Sequence, residues 1–142
     1  MIENLNILLV EDDDVAAESV IRSFKKMSLD IPITVAENGQ EALDIIKGEN
    51  GQPKIAWPFI VLLDLNMPIM NGFEFLETVR NNKALQKLVI FILTTSNEDS
   101  DRAKAYDHNV AGYMVKSAVG PQFSKLVHLL DSYQNAIELS GA

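Results

Sequence analysis

Acidic side chains follow two of the most apolar stretches of the sequence, each at the point where a strand would end. The run 5–10 leads into Glu11 and Asp12, and the continuous apolar run 59–63 leads into Asp64. A run of that kind is typical of a strand covered on both faces, as in a parallel sheet. The acids would then lie at the carboxyl ends of their strands, which is the edge where open α/β sheets bind ligands.

A hydroxyl group and an ammonium group follow two further predicted strands. The run 88–93 leads into Thr94, and the run 111–115 leads into Lys116. Because parallel strands point the same way, we expect their terminal residues to gather at one edge of the sheet. Carboxylates packed closely raise one another's pKa unless a cation lies among them. The all-oxygen ligand set favours Mg²⁺, with Mn²⁺ as the alternative.

The chemistry that this set of groups suits is phosphoryl transfer. A carboxylate nucleophile, a hard cation and a lysine together supply positioning and neutralise charge on the transferred group. We therefore predict an acyl phosphate on Asp64. The sequence contains neither a Gly-x4-Gly-Lys-Ser/Thr loop nor a Gly-x-Gly-x-x-Gly fingerprint, so a bound nucleotide is not the expected donor.

Predicted helices alternate with the strands, including a second strand at 33–36. The apolar spacing predicts helices over 14–27, from Asn38-Gly39 to Gly48, from Gly72 to about 81–82, from a cap at Ser96 or Asn97 through Tyr106, and from Pro121 onward. The segment 49–58 is predicted to be an extended connection, most simply a surface insertion. Five alternations of strand and helix predict a doubly wound α/β fold with a five-stranded parallel sheet.

Length and composition limit the other functions. With 142 residues the chain is expected to form one domain, 1–142, with its core at about 5–135 and without an output domain. The net charge of −8 argues against direct nucleic acid binding, and no apolar run approaches the roughly 20 residues of a membrane span. Without cysteine or a secretory signal, the expected compartment is the cytoplasm.

Four motifs at the strand ends resemble those of the receiver domains of two-component response regulators. They are Val10-Glu11-Asp12, Asp64 with Met67-Pro68 and Gly72, Leu93-Thr94, and Tyr113-Met114-Val115-Lys116. The resemblance implies a flavodoxin-like (βα)5 fold with strand order 2-1-3-4-5. The long connection before strand three, Thr94-Thr95-Ser96 and the ending without an output domain look most like the stand-alone regulators paired with bacterial phytochromes.

The resemblance implies a role for each acid. Asp64 would be the phosphoacceptor, and Glu11 with Asp12 would be the metal-binding acid pair. Asp12 and Asp64 would bind Mg²⁺ directly, together with the backbone carbonyl of Asn66. Glu11 would act mainly through water. Asp13 and Asp14 are interpreted instead as acids that cap a helix or lie on the surface.

The resemblance also implies roles for groups around the phosphoryl position. Thr94 would hydrogen-bond the phosphoryl group, and Lys116 would pair with it. Tyr113 matches the switch aromatic, whose ring is expected to turn inward once Thr94 moves toward phosphate. Asn66 and Ser96 lie where family members tune hydrolysis of the acyl phosphate.

One departure from the family pattern follows Lys116. The family usually has a proline there with a cis peptide bond before it, and this chain has Ser117. A cis bond costs roughly 0.5 to 1 kcal/mol before proline and about 2.5 to 4 kcal/mol before other residues. The chain therefore either holds a strained cis bond at Lys116-Ser117 or has a trans bond with Lys116 placed differently.

Three functions follow as hypotheses. The first is a stand-alone receiver that takes phosphate from a sensor histidine kinase, including a phytochrome-type kinase, or from a histidine phosphotransfer domain, and then contacts a downstream protein. The surface of helix four, strand five and helix five would serve a homodimer. The second is a receiver-like interaction module that takes no phosphate, which Ser117 keeps open. The third is an aspartate-nucleophile phosphohydrolase, which Asn66 disfavours because an amide cannot protonate a leaving group.

Overall fold

The computed structural model describes residues 5–26 and 30–116, together with residues 125 and 128. A parallel sheet of five strands lies at its centre, in the order β2-β1-β3-β4-β5. The strands are β1 (Asn6–Val10), β2 (Ile33–Ala36), β3 (Phe59–Leu63), β4 (Ile90–Thr94) and β5 (Gly112–Val115), and the helices are α1 (Asp14–Lys26), α2 (Gly39–Lys47), α3 (Gly72–Arg80) and α4 (Asp99–Asp107). The predicted fold class and strand order are confirmed.

The central strand β3 is buried along its whole length, as its continuous apolar sequence predicted. Its side chains alternate between two cores, with Phe59, Val61 and Leu63 in one and Ile60 and Leu62 in the other. The first core includes residues of α2 and α3, and the second includes residues of α1. Each face of the sheet is therefore covered by helices, as a doubly wound arrangement requires.

The strand register brings the chemically active residues to one edge. Val10 pairs with Leu63, and Leu63 pairs with Ile92 of β4. Glu11 and Asp64 each follow directly after these paired residues, and the Asp64 N–H donates to the Val10 carbonyl at 3.0 Å. The acids are thus held by the same backbone ladder that holds the core strands.

Local capping bonds set the starts of three helices. Asp13 Oδ1 accepts from the Val15 N–H at 2.9 Å at the start of α1, which agrees with its interpretation as a capping acid. Asn38 caps α2 by accepting from Glu41 N. Asn71 and Glu74 form a reciprocal capping box at the start of α3, immediately after the loop that follows Asp64.

The start of α4 differs from the sequence prediction. The predicted caps were Ser96 or Asn97, but the helix begins at Asp99 with Glu98 at the N-cap position and no side-chain capping bond. The Ser96 hydroxyl instead donates to the Asp101 carboxylate at 2.5 Å. At the other end α4 runs to Asp107, one residue past the predicted Tyr106, and Asn109 just beyond it has φ 59°.

Strand β4 begins two residues later than predicted. The Leu88 carbonyl accepts a hydrogen bond from the Arg80 side chain at 2.8 Å, and the ladder with β3 begins at Ile90. The Lys116-Ser117 peptide bond and the helix predicted from Pro121 lie outside the described residues. None of the helices among the described residues combines the length and apolar character that a transmembrane helix needs.

Candidate functional site

Three carboxylates meet at the carboxyl edge of the sheet. One oxygen from each of Glu11, Asp12 and Asp64 lies within 4.8 Å of the others. Glu11 and Asp64 are buried, with 3% and 6% of their surfaces exposed, and Asp12 is exposed. The three acids predicted from the strand ends are therefore together. Their oxygen atoms form a set that fits Mg²⁺ or Mn²⁺, which prefer carboxylate ligands.

Lys116 directly follows the carboxyl end of β5 and reaches this acid cluster. Its Nζ donates to Glu11 Oε1 and to Asp64 Oδ2, the latter at 3.3 Å. The side chain is only 18% exposed, so water screens this contact less than it screens a surface ion pair. Lys116 thus faces the two buried acids, as predicted.

The electrostatics of this cluster favour a proton or a cation among the acids. Burial raises the pKa of Glu11 to about 7, and the nearby Asp64 also raises it, although the hydrogen bond from Lys116 lowers it. Burial lowers the pKa of Lys116, but its bond with Glu11 and the charge of Asp64 outweigh that effect and raise it overall. Lys116 therefore stays charged, and its single positive charge faces both Glu11 and Asp64.

The main chain around Asp64 is packed closely enough to hold its carboxylate in place. The Asn66 N–H donates to Asp64 Oδ1 at 3.3 Å, and the Gly72 N–H donates to the Leu65 carbonyl at 3.0 Å. A Cβ atom on Gly72 would lie 2.6 Å from the Asp64 carbonyl oxygen, so only glycine fits at this position without a shift. The close approach of the Asp64 main chain therefore explains why the motif has glycine at position 72.

Thr94 and Ser96 form the next part of the edge. Thr94 is fully buried, and its Oγ1 accepts from the Ser96 N–H at 3.4 Å. The Ser96 carbonyl in turn accepts from the Tyr113 hydroxyl at 3.0 Å. The Tyr113 side chain is buried. Its movement with Thr94 stays a prediction.

An open cavity of about 500 Å³ lies beside the acid cluster. Asp12 and Asn66 line it, and the remaining lining residues come from the loop after β3 and the start of α3. The exposed side of Asp12 faces this space. The cavity therefore leaves the Asp12 side of the acid cluster open to solvent.

Two arginines with specific contacts were not singled out from the sequence. Arg80 donates to four backbone carbonyls, those of His108, Gln86, Leu88 and Asn109, at 2.7 to 3.0 Å. Arg102 of α4 lies over the Tyr113 ring. The sequence signals were weak, since a basic residue in the last turn of a helix is common and nothing marks Arg102.

Comparison with known proteins gives the same assignment as the strand-end residues. A family model described as the response regulator receiver domain matches residues 7–128. The chain belongs to this family. Receiver domains act in two-component signalling, and their family is not one of classical enzymes. This membership argues against the phosphohydrolase hypothesis.

Solved structures of similar receivers cover nearly the whole chain. A two-component response regulator from Legionella pneumophila is 35% identical, with a TM-score of 0.79, and the match covers 91% of this chain and 99% of that one. The Mn²⁺-bound response regulator Rcp1 of Synechocystis is 26% identical, with a TM-score of 0.74 and coverage of 96% and 99%. The phosphorylated cyanobacterial phytochrome response regulator RcpA is 25% identical, with a TM-score of 0.77 and coverage of 92% and 94%. This receiver therefore resembles phytochrome response regulators, as its sequence indicated.

Proposed function

We propose that Asp64 of this receiver accepts a phosphoryl group from a phosphohistidine, and that the resulting acyl phosphate changes the contacts of the chain with other proteins in the cytoplasm. The observation that carries the proposal is the contact of Lys116 with both Glu11 and Asp64 beside the exposed Asp12. A buried carboxylate is a useful nucleophile here because a cationic group already faces it.

The proposed reaction moves a phosphoryl group from the imidazole of the donor histidine to the carboxylate of Asp64. An Asp64 carboxylate oxygen forms a bond to phosphorus, and the bond between phosphorus and the donor's imidazole nitrogen breaks. The imidazole nitrogen keeps the electron pair and then takes a proton. Lys116 offsets negative charge near Asp64 Oδ2 during this transfer, and the Asn66 N–H restrains Oδ1.

The metal that the family binds fits the residues present. Asp12 and Asp64 would hold Mg²⁺ or Mn²⁺ with the Asn66 carbonyl, and Glu11 would act through water. The bound ion would neutralise charge on the phosphoryl oxygens. The proximity of the three carboxylates supports this assignment, since a divalent cation would offset the repulsion between like charges held this close together.

Thr94 and Ser96 connect the site to its proposed output surface. Thr94 is proposed to hydrogen-bond the phosphoryl group, and Asn66 and Ser96 to tune its hydrolysis. Tyr113 is proposed as the switch residue, because its hydroxyl is bonded to Ser96, two residues after Thr94. The output is then a change at α4 and β5, read by a downstream protein or by a second copy of the chain.

Incubation with acetyl phosphate and Mg²⁺, followed by intact-protein mass spectrometry, tests the proposal without a cognate kinase. We expect one added phosphoryl group in the native protein and in Asp14→Asn, a matched control that changes an exposed acid of α1. We expect none in Asp64→Ala and none when a chelator replaces Mg²⁺. An unmodified native protein would favour the alternative of an interaction module that takes no phosphate.

A further inference from the structure

The Tyr113 ring is held by a second group besides the Ser96 carbonyl. The guanidinium carbon of Arg102 lies 4.8 Å from the centre of the ring. At that distance a guanidinium is attracted by the face of an aromatic ring. Arg102 projects from α4, whereas Tyr113 belongs to β5, so this contact joins a helix to the edge strand of the sheet.

Arg102 is fixed at a second point. Its Nη2 donates to Asn97 Oδ1 at 3.3 Å, in the loop between β4 and α4. Among the described residues no carboxylate forms an ion pair with Arg102. The Arg102 guanidinium therefore contacts both the face of the Tyr113 ring and Asn97 of this loop.

The same loop carries the hydrogen bonds that lead back to the phosphorylation site. Ser96 donates its N–H to Thr94, accepts the Tyr113 hydroxyl at its carbonyl, and uses its own hydroxyl to bind Asp101. Asp101 and Arg102 are neighbours on α4. Two successive residues of one helix thus bind Ser96 and cover Tyr113, so the helix and the loop are held as one unit.

We propose that Arg102 is the positioning residue that keeps the Tyr113 ring buried, and that it thereby sets how often Tyr113 occupies this buried position before phosphorylation. The positioning of the ring is independent of the proposed function. The link to phosphorylation rests on the proposed function, because it passes through Thr94.

Chemical accessibility of tyrosines tests the positioning directly. Nitration with tetranitromethane, quantified for each peptide by mass spectrometry, reports Tyr113 relative to Tyr106, which is 48% exposed and serves as an internal reference. In the native protein we expect Tyr113 to react more slowly than Tyr106. In Arg102→Ala we expect its relative rate to rise by about two- to thirtyfold, the range that loss of a cation–aromatic contact corresponds to.

Lys104 offers a matched control. It lies on the same helix, and its Nζ is 4.3 Å from the centre of the Phe73 ring, so Lys104→Ala removes the same kind of contact from a different ring. We expect Lys104→Ala to leave the Tyr113 rate unchanged. Arg102→Lys, which keeps the charge, should restore part of the protection. Arg102→Gln, which keeps a donor for Asn97 without the charge, provides a second test if the alanine variant does not fold.

Two results would overturn the proposal. One is equal protection of Tyr113 in the native protein, Arg102→Ala and Arg102→Gln. The other is a rise in Lys104→Ala as large as in Arg102→Ala, which would indicate general loosening of α4. Beryllofluoride with Mg²⁺ then tests the link to the phosphoryl site, and we expect it to restore protection of Tyr113 in Arg102→Ala.

If the proposed function were wrong, a different set of results would be expected. Beryllofluoride would then change nothing in any variant, while the difference between native protein and Arg102→Ala without beryllofluoride would persist. Beryllofluoride binding without recovery of Tyr113 protection would instead refute the link between Arg102 and the phosphoryl site.

Discussion

Gly72 lies directly against the main chain of Asp64. A Cβ atom at position 72 would be 2.6 Å from the Asp64 carbonyl oxygen and 2.7 Å from the Leu65 Cα atom. Both neighbours are backbone atoms at the end of the central strand, so neither can move without moving the acid. The position of the proposed phosphoacceptor therefore depends on the absence of a side chain eight residues later.

Gly72→Ala should weaken both stability and phosphorylation. We expect the unfolding free energy to fall by about 1 to 3 kcal/mol, the usual cost of forcing an extra carbon into a packed region. We also expect phosphorylation by acetyl phosphate to slow by on the order of tenfold to a hundredfold, because displacement of a reacting group by about 1 Å has such effects. Urea denaturation and phosphorylation kinetics measure the two quantities.

Gly51→Ala is a suitable control for that variant. A Cβ atom on Gly51 would meet nothing within 4 Å, but its φ of 81° makes alanine costly there. This variant should lose stability and keep the native phosphorylation rate. Equal slowing in both variants would show that lost stability, rather than a displaced Asp64, explains the effect of Gly72→Ala.

The raised pKa of Glu11 predicts an unusual pH dependence in metal-free buffer. Its folded-state pKa of about 7 lies above the ordinary 4.5, so the folded protein binds more protons than the unfolded chain between these values. The contribution of Glu11 to the unfolding free energy should therefore fall as the pH rises from 4.5 to 7.

Urea titrations across that pH range check the Glu11 contribution. Glu11→Gln should remove this part of the slope, because its amide does not titrate. Saturating Mg²⁺ should reduce the slope in the native protein, because the ion favours the carboxylate form. An identical slope in native protein and Glu11→Gln would show that Glu11 titrates at its ordinary pKa.

Arg80 should contribute substantially to the unfolding free energy, although no sequence motif marks it. Arg80→Met keeps the apolar stem but removes the donors to four carbonyls, and we expect a loss of about 3 kcal/mol in the unfolding free energy. Arg80→Lys should lose less, although one ammonium cannot replace the planar fork of a guanidinium. Urea denaturation measures both variants.

Arg22→Met is the matched comparison for Arg80. Within the described part of the chain Arg22 forms only an exposed pair with Glu18 at 3.8 Å, and such pairs contribute at most about 1 kcal/mol. A loss in Arg80→Met no larger than that in Arg22→Met would mean that water replaces the Arg80 bonds without cost.

The arrangement of the site was largely predictable because it follows from strand direction. Once the apolar runs before Glu11, Asp64 and Lys116 are assigned to parallel strands, their ends must meet at one edge. The capping residues Asp13 and Asn38 were predictable for a similar reason, since their bonds are local in sequence.

The contacts that the sequence did not reveal join distant segments. Arg80 bonds to carbonyls 28 and 29 residues away, and Arg102 meets a ring on another element. The predicted start of α4 was wrong for a related reason. Ser96 is a good capping residue, but Asp101 and Tyr113 compete for its polar groups, and only the folded chain brings Tyr113 there.

Chemical mapping of the phosphorylated residue tests the central claim most directly. After incubation with acetyl phosphate and Mg²⁺, borohydride reduction converts an aspartyl phosphate to homoserine, which peptide mass spectrometry locates in the chain. We predict homoserine at position 64 alone, and none in Lys116→Ala under the same short incubation. Homoserine at Asp12 or another aspartate, or no homoserine in a folded protein with its Mg²⁺ bound, would contradict the assignment of Asp64 as the phosphoacceptor.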